Sequence, residues 1–508
     1  MKRIIAILLL LCLMLAGCGA EEMPYVPTGD GLTDEMATTA PTLPQTTKEL
    51  QLPYDPDAGF HPYRCTDQTN RVILSLVYQG LFAVDSKYNV EPILCKNYQV
   101  SADLRVYTFY LEKAAFSDGQ YLTAHDVVAS YGAARESGYF AGRFTHIAAV
   151  EAIAEDAVRI TLDTSYENLP ILLDIPIIKQ SQVAAESPMG TGPYMLELDG
   201  AEKQLRRNTA WWSNVSIATA EAVIPLIEGQ TPSQIRDLFE LSGLGLVCTD
   251  AGSDSYVDFR GDYELWESEN GLFLYLGVNE KSKVLSAGAI RNNLTYAIDR
   301  DALVTNFFRN FAHSATLPAS PFFPYYNQNL AARYSYNPER FSAAVNEAQP
   351  AERTVVLLVS TDDARRVRVA RSIKKMLEAG GLTVTMSELS GADFRKALQK
   401  GNFDLYLGQT KLSPNMDLSA FFTKGGALSY GEMDDPALQT IANEALANSG
   451  NYQSLHEQVM QSGQLCPILF RSYAIYGRRG ILSTLTPARD NVFYYSLGKT
   501  MESALIKE

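Results

Sequence analysis

Two hydrophobic periods divide the chain into helical and extended segments. Ile73, Leu74, Val77, Tyr78 and Leu81 recur at helical spacing, and Thr69 just before them can cap a helix there. Asn97 to Val100 and Arg105 to Leu111 read as strands, joined by Ser101-Ala102-Asp103-Leu104, whose short polar side chains can bond nearby backbone amides and so favour a tight turn. Ser117-Asp118-Gly119-Gln120 is a second turn. Thr123-Ala124-His125-Asp126 has the spacing of a capping box, the Thr hydroxyl meeting the amide three residues on, and it opens a helix through Val127, Val128 and Tyr131. This block is α+β.

Further along, Ile290, Leu294, Ala297 and Ile298 form the stripe of a helix packed by one face, and Asp299-Arg300-Asp301 offers a cap for a second helix abutting it. Thr354 to Val359 is a β-branched strand, Asp362 to Ala379 a helix ended by Gly380-Gly381, and Leu382 to Met386 a strand. Phe403 to Leu407 follows another short helix, which completes a βαβαβ run. Arg365, Arg366, Arg368, Arg371, Lys374 and Lys375 crowd the first of these helices. They suit either a polyanion site or, as we favour, a solvated outer face.

The N-terminus changes the picture. Lys2 and Arg3 precede an apolar run from Ile4 to Ala16 that closes on Leu15-Ala16-Gly17-Cys18. Such a run spans roughly 20 Å as a helix, short of the roughly 30 Å hydrocarbon core, which favours a cleaved signal peptide (1–17) over a permanent span. The small residues before Cys18 complete a lipobox, so the Cys18 thiol is expected to carry the lipid, although a plain secretory signal with an incidental cysteine stays open. Residues 18–48, rich in Thr, Pro and Glu without either period, read as a flexible tether. Its reach is on the order of 30 Å.

The 508 residues, 46% hydrophobic and 20% charged, suffice for two or three cores. A formal net charge of −15 without any basic stripe excludes nucleic acid as a partner and leaves membrane attachment to the lipid, not to surface charge. Beyond Cys12 and Cys18 the cysteines are Cys65, Cys95, Cys248 and Cys466, with no CxxC pair. Free buried thiols are favoured, and an oxidising exterior would permit one disulfide. The five histidines form no HExxH or HxH pattern, so neither a metal nor a cofactor is expected. No GxSxG or SxxK constellation nominates an enzyme.

Five stretches in order resemble family 5 of the extracellular solute-binding proteins, which includes oligopeptide, dipeptide and nickel binders. They are VYQGLFAV at 77–84, EPILCKNYQVSADLRVYTFYL at 91–111, FSDGQYLTAHDVVAS at 116–130, MGTGPYML at 189–196, and LFLYLGVN with AIRNNLTYAIDRDALV within 272–304. Where the family places Trp in the second stretch, this chain has Tyr98. These motifs are fold punctuation and do not show a ligand.

The resemblance implies an α/β, two-lobed periplasmic-binding-protein type II fold with an extra α+β subdomain inserted in the first lobe. The first lobe would comprise 49–66, 180–262 and 475–508, the inserted subdomain 67–179 and the second lobe 263–474. Hinge strands would lie near Leu272 to Gly277 and Ile468 to Tyr476. It further implies a monomeric receptor of an ABC importer on the extracellular or periplasmic face of the cell membrane, binding a peptide or peptide-like solute and partnering permease subunits. A sensor or chaperone lipoprotein on the same scaffold, or a binder of a non-peptide solute, is the alternative. Carried over residue by residue, the ligand would meet Thr66, Asp67 and Gln68 on the first-lobe rim, Phe394 at an aromatic wall, and Tyr406 and Gln409 within the rim segment Tyr406 to Ser413. Peptide binders place an Asp after this strand for the ligand ammonium, where this chain offers Thr410 or Ser413. Asp417 or Asp67 would have to substitute, or the ligand lacks a free amine there. Asp417 can equally cap the segment Leu418 to Phe422.

Overall fold

The computed structural model describes residues 49–200, 202–286, 288–349, 353–482 and 484–506. The signal segment, Cys18 and the tether lie outside them. Among the described residues no helix is long and apolar enough to cross a membrane.

One sheet sets Leu52–Tyr54 parallel to Val223–Glu228, which pairs in turn with antiparallel Gln204–Arg207 and then Tyr194–Glu197. A second holds the hairpin Cys95–Val100 and Val106–Leu111, extended by Ala157–Leu162 and Ile147–Ala154. The hairpin turn forms as its residues dictate: Ser101 Oγ accepts from the Val106 amide at 2.9 Å, Asp103 Oδ1 from the Arg105 amide at 3.2 Å, and Leu104 takes a left-handed φ of 59°. The capping box is present too, with Asp126 Oδ2 accepting from the Thr123 amide at 2.9 Å at the head of Ala124–Arg135.

The largest sheet runs Leu246–Thr249, Leu465–Arg478, Tyr263–Val278, Leu405–Lys411, Thr354–Ser360, Thr383–Leu389, with Ala312–Ser314 also on Leu465–Arg478. Its last three strands are parallel and carry the helices Ala364–Ala379 and Gly391–Lys400, the βαβαβ run expected from the sequence. Leu465–Arg478 is buried almost throughout, as a strand covered on both faces must be. It lies antiparallel to Tyr263–Val278 from Arg478 opposite Tyr263 to Leu465 opposite Gly277, and the ladder breaks between Glu269 and Phe273. Leu272 to Gly277 and Ile468 to Tyr476 lie within these two strands.

Three local expectations need correction. Helix Gln68–Val77 is capped by Asp67, whose carboxylate accepts from the Asn70 amide at 3.0 Å, so Thr69 lies inside the first turn. The stripe from Ile290 folds as the 3₁₀ turn Arg291–Asn293 and the single turn Leu294–Ala297, after which Asp299 does cap Arg300–Phe308. On Ala364–Ala379, Arg371 and Lys374 face solvent beside Glu388 and Glu378, but Arg365 is buried, because the helix packs its first turn against Asp250. Cys65, Cys95, Cys248 and Cys466 are free and buried, and burial raises every one of these thiol pKa values, that of Cys248 to about 12.

The segment Gly190-Thr191-Gly192 runs directly against the end of helix Gln68–Val77. The Gly192 amide donates to the Val77 carbonyl at 2.9 Å, and a Cβ on Gly192 would stand 2.5 Å from that same oxygen. Both groups are backbone and cannot swing aside. Gly192→Ala should therefore cost about 1–3 kcal/mol, the range for overpacking a tight contact, and urea denaturation with an unchanged midpoint would contradict this packing.

Candidate ligand site

Where the large sheet meets the segments around Asp67, Asp250 and Asp490, polar side chains converge in two neighbouring clusters. Strand Leu405–Lys411 supplies one residue to each. Gln409 and Lys411 are two apart and share a face, whereas Tyr406 has the opposite parity.

The first cluster centres on Asp250, just past strand Leu246–Thr249. Arg365 Nη1 lies 3.2 Å from both of its oxygens, and Arg471 Nη2 makes a close contact with one of them. Arg471 Nη1 also donates to Gln409 Oε1 at 3.0 Å, and Arg365 reaches Asp363 at 3.3 Å. Both arginines are buried and neutralised by the acids they face. A cavity of about 380 Å³ opens beside them, bordered by Asp67, Gln68, Cys248, Asp250, Arg471 and Tyr473. Gln68 Nε2 donates to Cys248 Sγ at 3.5 Å, which fixes the amide at the cavity wall.

Asp490 is the focus of the second cluster. Lys411 Nζ stands 2.6 Å from its Oδ1 and Arg143 Nη2 3.0 Å from its Oδ2, while the Tyr139 hydroxyl donates to Oδ1 at 2.5 Å. Burial opposes ionisation of Asp490, but Lys411, Arg489 and Arg143 outweigh it and hold the carboxyl well below the usual carboxylate range. Burial likewise lowers the Lys411 ammonium, to about 7, against the pull of Asp490. A smaller cavity of about 80 Å³ adjoins, lined by Arg71, Gln79, Asp174, Arg489 and Asp490 among apolar side chains such as Leu74 and Phe82.

The residues singled out from sequence divide between these surroundings. Asp67 and Gln68 line the larger cavity, Thr66 is exposed next to them, and Gln409 holds Arg471. Phe394 and Tyr406 are buried in the main core; Tyr406 packs edge-on against Tyr275 at 5.8 Å and Phe403 at 5.2 Å between ring centres. Neither ring faces a cavity described above. Asp417 stands apart, engaged by the Ser419 amide and hydroxyl at 2.8 Å each and by His146 Nε2 at 3.3 Å. That bond is a turn one residue ahead of the helix Ser419–Phe422, whose N-cap is Leu418 with no side-chain cap, so Asp417 does not cap that segment as the sequence allowed. Arg471, Asp250, Lys411, Arg489 and Asp490 escaped sequence reasoning, because no local pattern marks them as partners. Among the described residues no group of three His, Cys, Asp or Glu stands close enough to hold a metal ion.

The fold and this seam define a class, the two-lobed α/β binding proteins of type II topology. The model of the bacterial extracellular solute-binding proteins, family 5, matches residues 89–428, and the chain belongs to that family. Glutathione-binding protein GsiB of Escherichia coli (strain K12) is 25% identical over 294 residues, 54% of this chain and 56% of that protein. The chain thus aligns with little more than half the length of the curated relatives it matches first. HbpA2 from Haemophilus parasuis superposes with a TM-score of 0.74 at 18% identity, over 89% of this chain and 99% of that one. The oligopeptide-binding protein AppA of Bacillus subtilis, solved with a nonapeptide, gives 0.62 at 17% identity over 89% and 99%. The family is one of solute binders and not of enzymes.

His146, just before strand Ile147–Ala154 of the second sheet, clasps that strand to the loop of Asp417, with Asp163 on its other nitrogen at 3.2 Å. Burial works against its charge, yet the two carboxylates prevail and its pKa is raised; that of Asp417 is lowered by His146 despite its own burial. A raised histidine pKa contributes stability that is complete below about 6.5 and lost as pH climbs through the folded value; a lowered aspartate pKa contributes above about 3.9 and fails as pH falls through the folded value. The clasp is therefore strongest between these limits. From pH 6 to pH 9 the wild type should lose about 1 kcal/mol more than His146→Gln in urea denaturation, and parallel losses would show that the clasp carries no charge.

Proposed function

We propose that this protein is the solute receptor of an ABC importer. It is tethered through a lipid on Cys18 to the extracellular or periplasmic face of the cell membrane, and captures a peptide or peptide-like ligand that it hands to permease subunits. The observation that carries this reading is the seam itself. A cavity of about 380 Å³ is bordered by Asp67, Gln68 and Cys248, which precede the long strand Tyr263–Val278 in the chain, and by Arg471 and Tyr473 of strand Leu465–Arg478, which follow it. A ligand between them would touch both lobes, taken as 49–66 with 180–262 and 475–508 for the first, 67–179 for its insert, and 263–474 for the second.

Closure would bend the two long strands where their ladder is broken, between Glu269 and Phe273. The relatives favour a peptide: a glutathione-binding protein by sequence, and an oligopeptide-binding protein with a nonapeptide by fold. Thr66, Asp67, Gln68 and Gln409 are the first-choice contacts on this reading. Phe394, Tyr406 and Asp417 would act from behind, by supporting the strand and loop that form the rim. The receptor works as a monomer and needs no cofactor.

Mass spectrometry of solute released from the purified full-length chain, followed by calorimetry against a pool of di- to pentapeptides, tests the ligand class. Peptide bound at micromolar affinity or tighter is expected. Binding of a sugar or other solute, with no peptide bound, would end the peptide assignment.

The anchor has its own test. Cys18→Ser should move the protein from the membrane fraction to the medium or the soluble periplasmic fraction. An undiminished membrane fraction would refute lipidation.

A further inference from the structure

The charges around the smaller cavity do not balance. Asp490 faces Lys411 at 2.6 Å, Arg143 at 3.0 Å and Arg489 at 3.6 Å. Arg143 has a second acid in Asp174 at 2.6 Å, and the Arg71 guanidinium lies 3.4 Å from the centre of the Tyr139 ring. Three basic groups thus share two carboxylates, while Arg71 donates to the Pro62 and Cys65 carbonyls. The third acid in reach, Glu269, accepts from the hydroxyls of Tyr88 and Ser320 at 2.5 Å each, and burial pushes its carboxyl up towards the neutral form.

Arg489 is the group most short of partners. Its side chain is 4% exposed, and its Nη2 donates to the Leu412 carbonyl. Its Nε and Nη1 have no hydrogen-bond partner among the described residues. A guanidinium so enclosed, with unmet donors, is costly unless an acceptor meets it, and an anion does so best. Arg489 lines the cavity of about 80 Å³, enough for a few water molecules or for one carboxylate on a short stem. A planar monoanion matches the guanidinium fork, while a phosphate dianion would be repelled by Asp490 and Asp174 on the same walls.

The other end of a peptide finds less here. Asp417 is already engaged by His146 and Ser419, and Asp67 holds the cap of its helix. We propose that the cavity beside Arg489 is a subsite for a ligand carboxylate, with Arg71 on its wall and Lys411 paired to the lining residue Asp490, so that the solute is oriented by its acidic end. The inference rests on the reading of the seam as a ligand site and adds the polarity with which that site is filled.

The test compares a pool of di- to pentapeptides as free acids with the same pool carrying C-terminal amides, by calorimetry on the full-length chain. Amides should bind at least tenfold more weakly. Arg489→Gln should weaken the free acids by at least tenfold and leave the amides unchanged, and Lys411→Met, which removes the ammonium paired with Asp490, should act in the same direction if Arg489→Gln does not fold. Equal binding of acids and amides to the wild type would overturn the subsite while leaving a peptide receptor standing. If neither pool binds, the peptide reading falls by itself, and the subsite is read instead with succinate against succinamide in thermal melts. Saturable stabilisation by succinate alone, lost in Arg489→Gln or Lys411→Met, upholds it; stabilisation by neither compound, or by both alike, overturns it.

Discussion

The carboxylate of Asp490 is the tie that the seam depends on. It is reached by Arg143 from the turn just before strand Ile147–Ala154 and by Lys411 from the end of a strand in the largest sheet, while its own neighbour Arg489 grips the Leu412 carbonyl. Three segments distant in sequence are thereby fixed on one acid. Each cation would be costly to bury alone, and gathering them on a shared carboxylate makes their burial tolerable. The same gathering forbids an apolar lining, so the seam stays polar while the sheets on either side pack as dry cores.

Strand Leu405–Lys411 shows how one element serves both purposes. Its odd positions Leu405 and Leu407 enter one core and its even position Tyr406 the other, until the strand reaches the seam and the odd face changes from leucine to Gln409 and Lys411. Gly277 and Gly408 make room for this arrangement. A Cβ on Gly277 would sit 2.1 Å from the Tyr406 ring, and one on Gly408 2.4 Å from that of Tyr275. The interlocked tyrosines hold the strand end in place, and this placement sets the positions of Gln409 and Lys411.

What the sequence disclosed was mostly local. Hairpin, capping box and βαβαβ run depend on bonds between residues a few positions apart, which composition and spacing record. The ordered motifs that resembled family 5 extended this to the architecture. The site was far less legible. Placing both Tyr406 and Gln409 on the rim overlooked strand parity, which turns their side chains to opposite faces. Arg365 looked like one more residue of a solvated basic face, since nothing near it in the chain announces Asp250. Arg71, Arg143, Lys411 and Asp490 are gathered only by the tertiary fold, and no short-range pattern could assemble them.

The four buried thiols give the protein an internal clock. Each is enclosed and held protonated, so an alkylating reagent or oxidant can act only as fast as the surrounding structure opens. Cys95 and Cys466 lie in sheets and would time the rarest openings, those that separate strands. Cys248 also lies in a strand, but it alone of the three borders the larger cavity, beneath the amide of Gln68. Its rate of labelling would follow the breathing of the seam and not the unfolding of the sheets, so two chemical timescales in one chain would separate motion at the ligand site from loss of the fold.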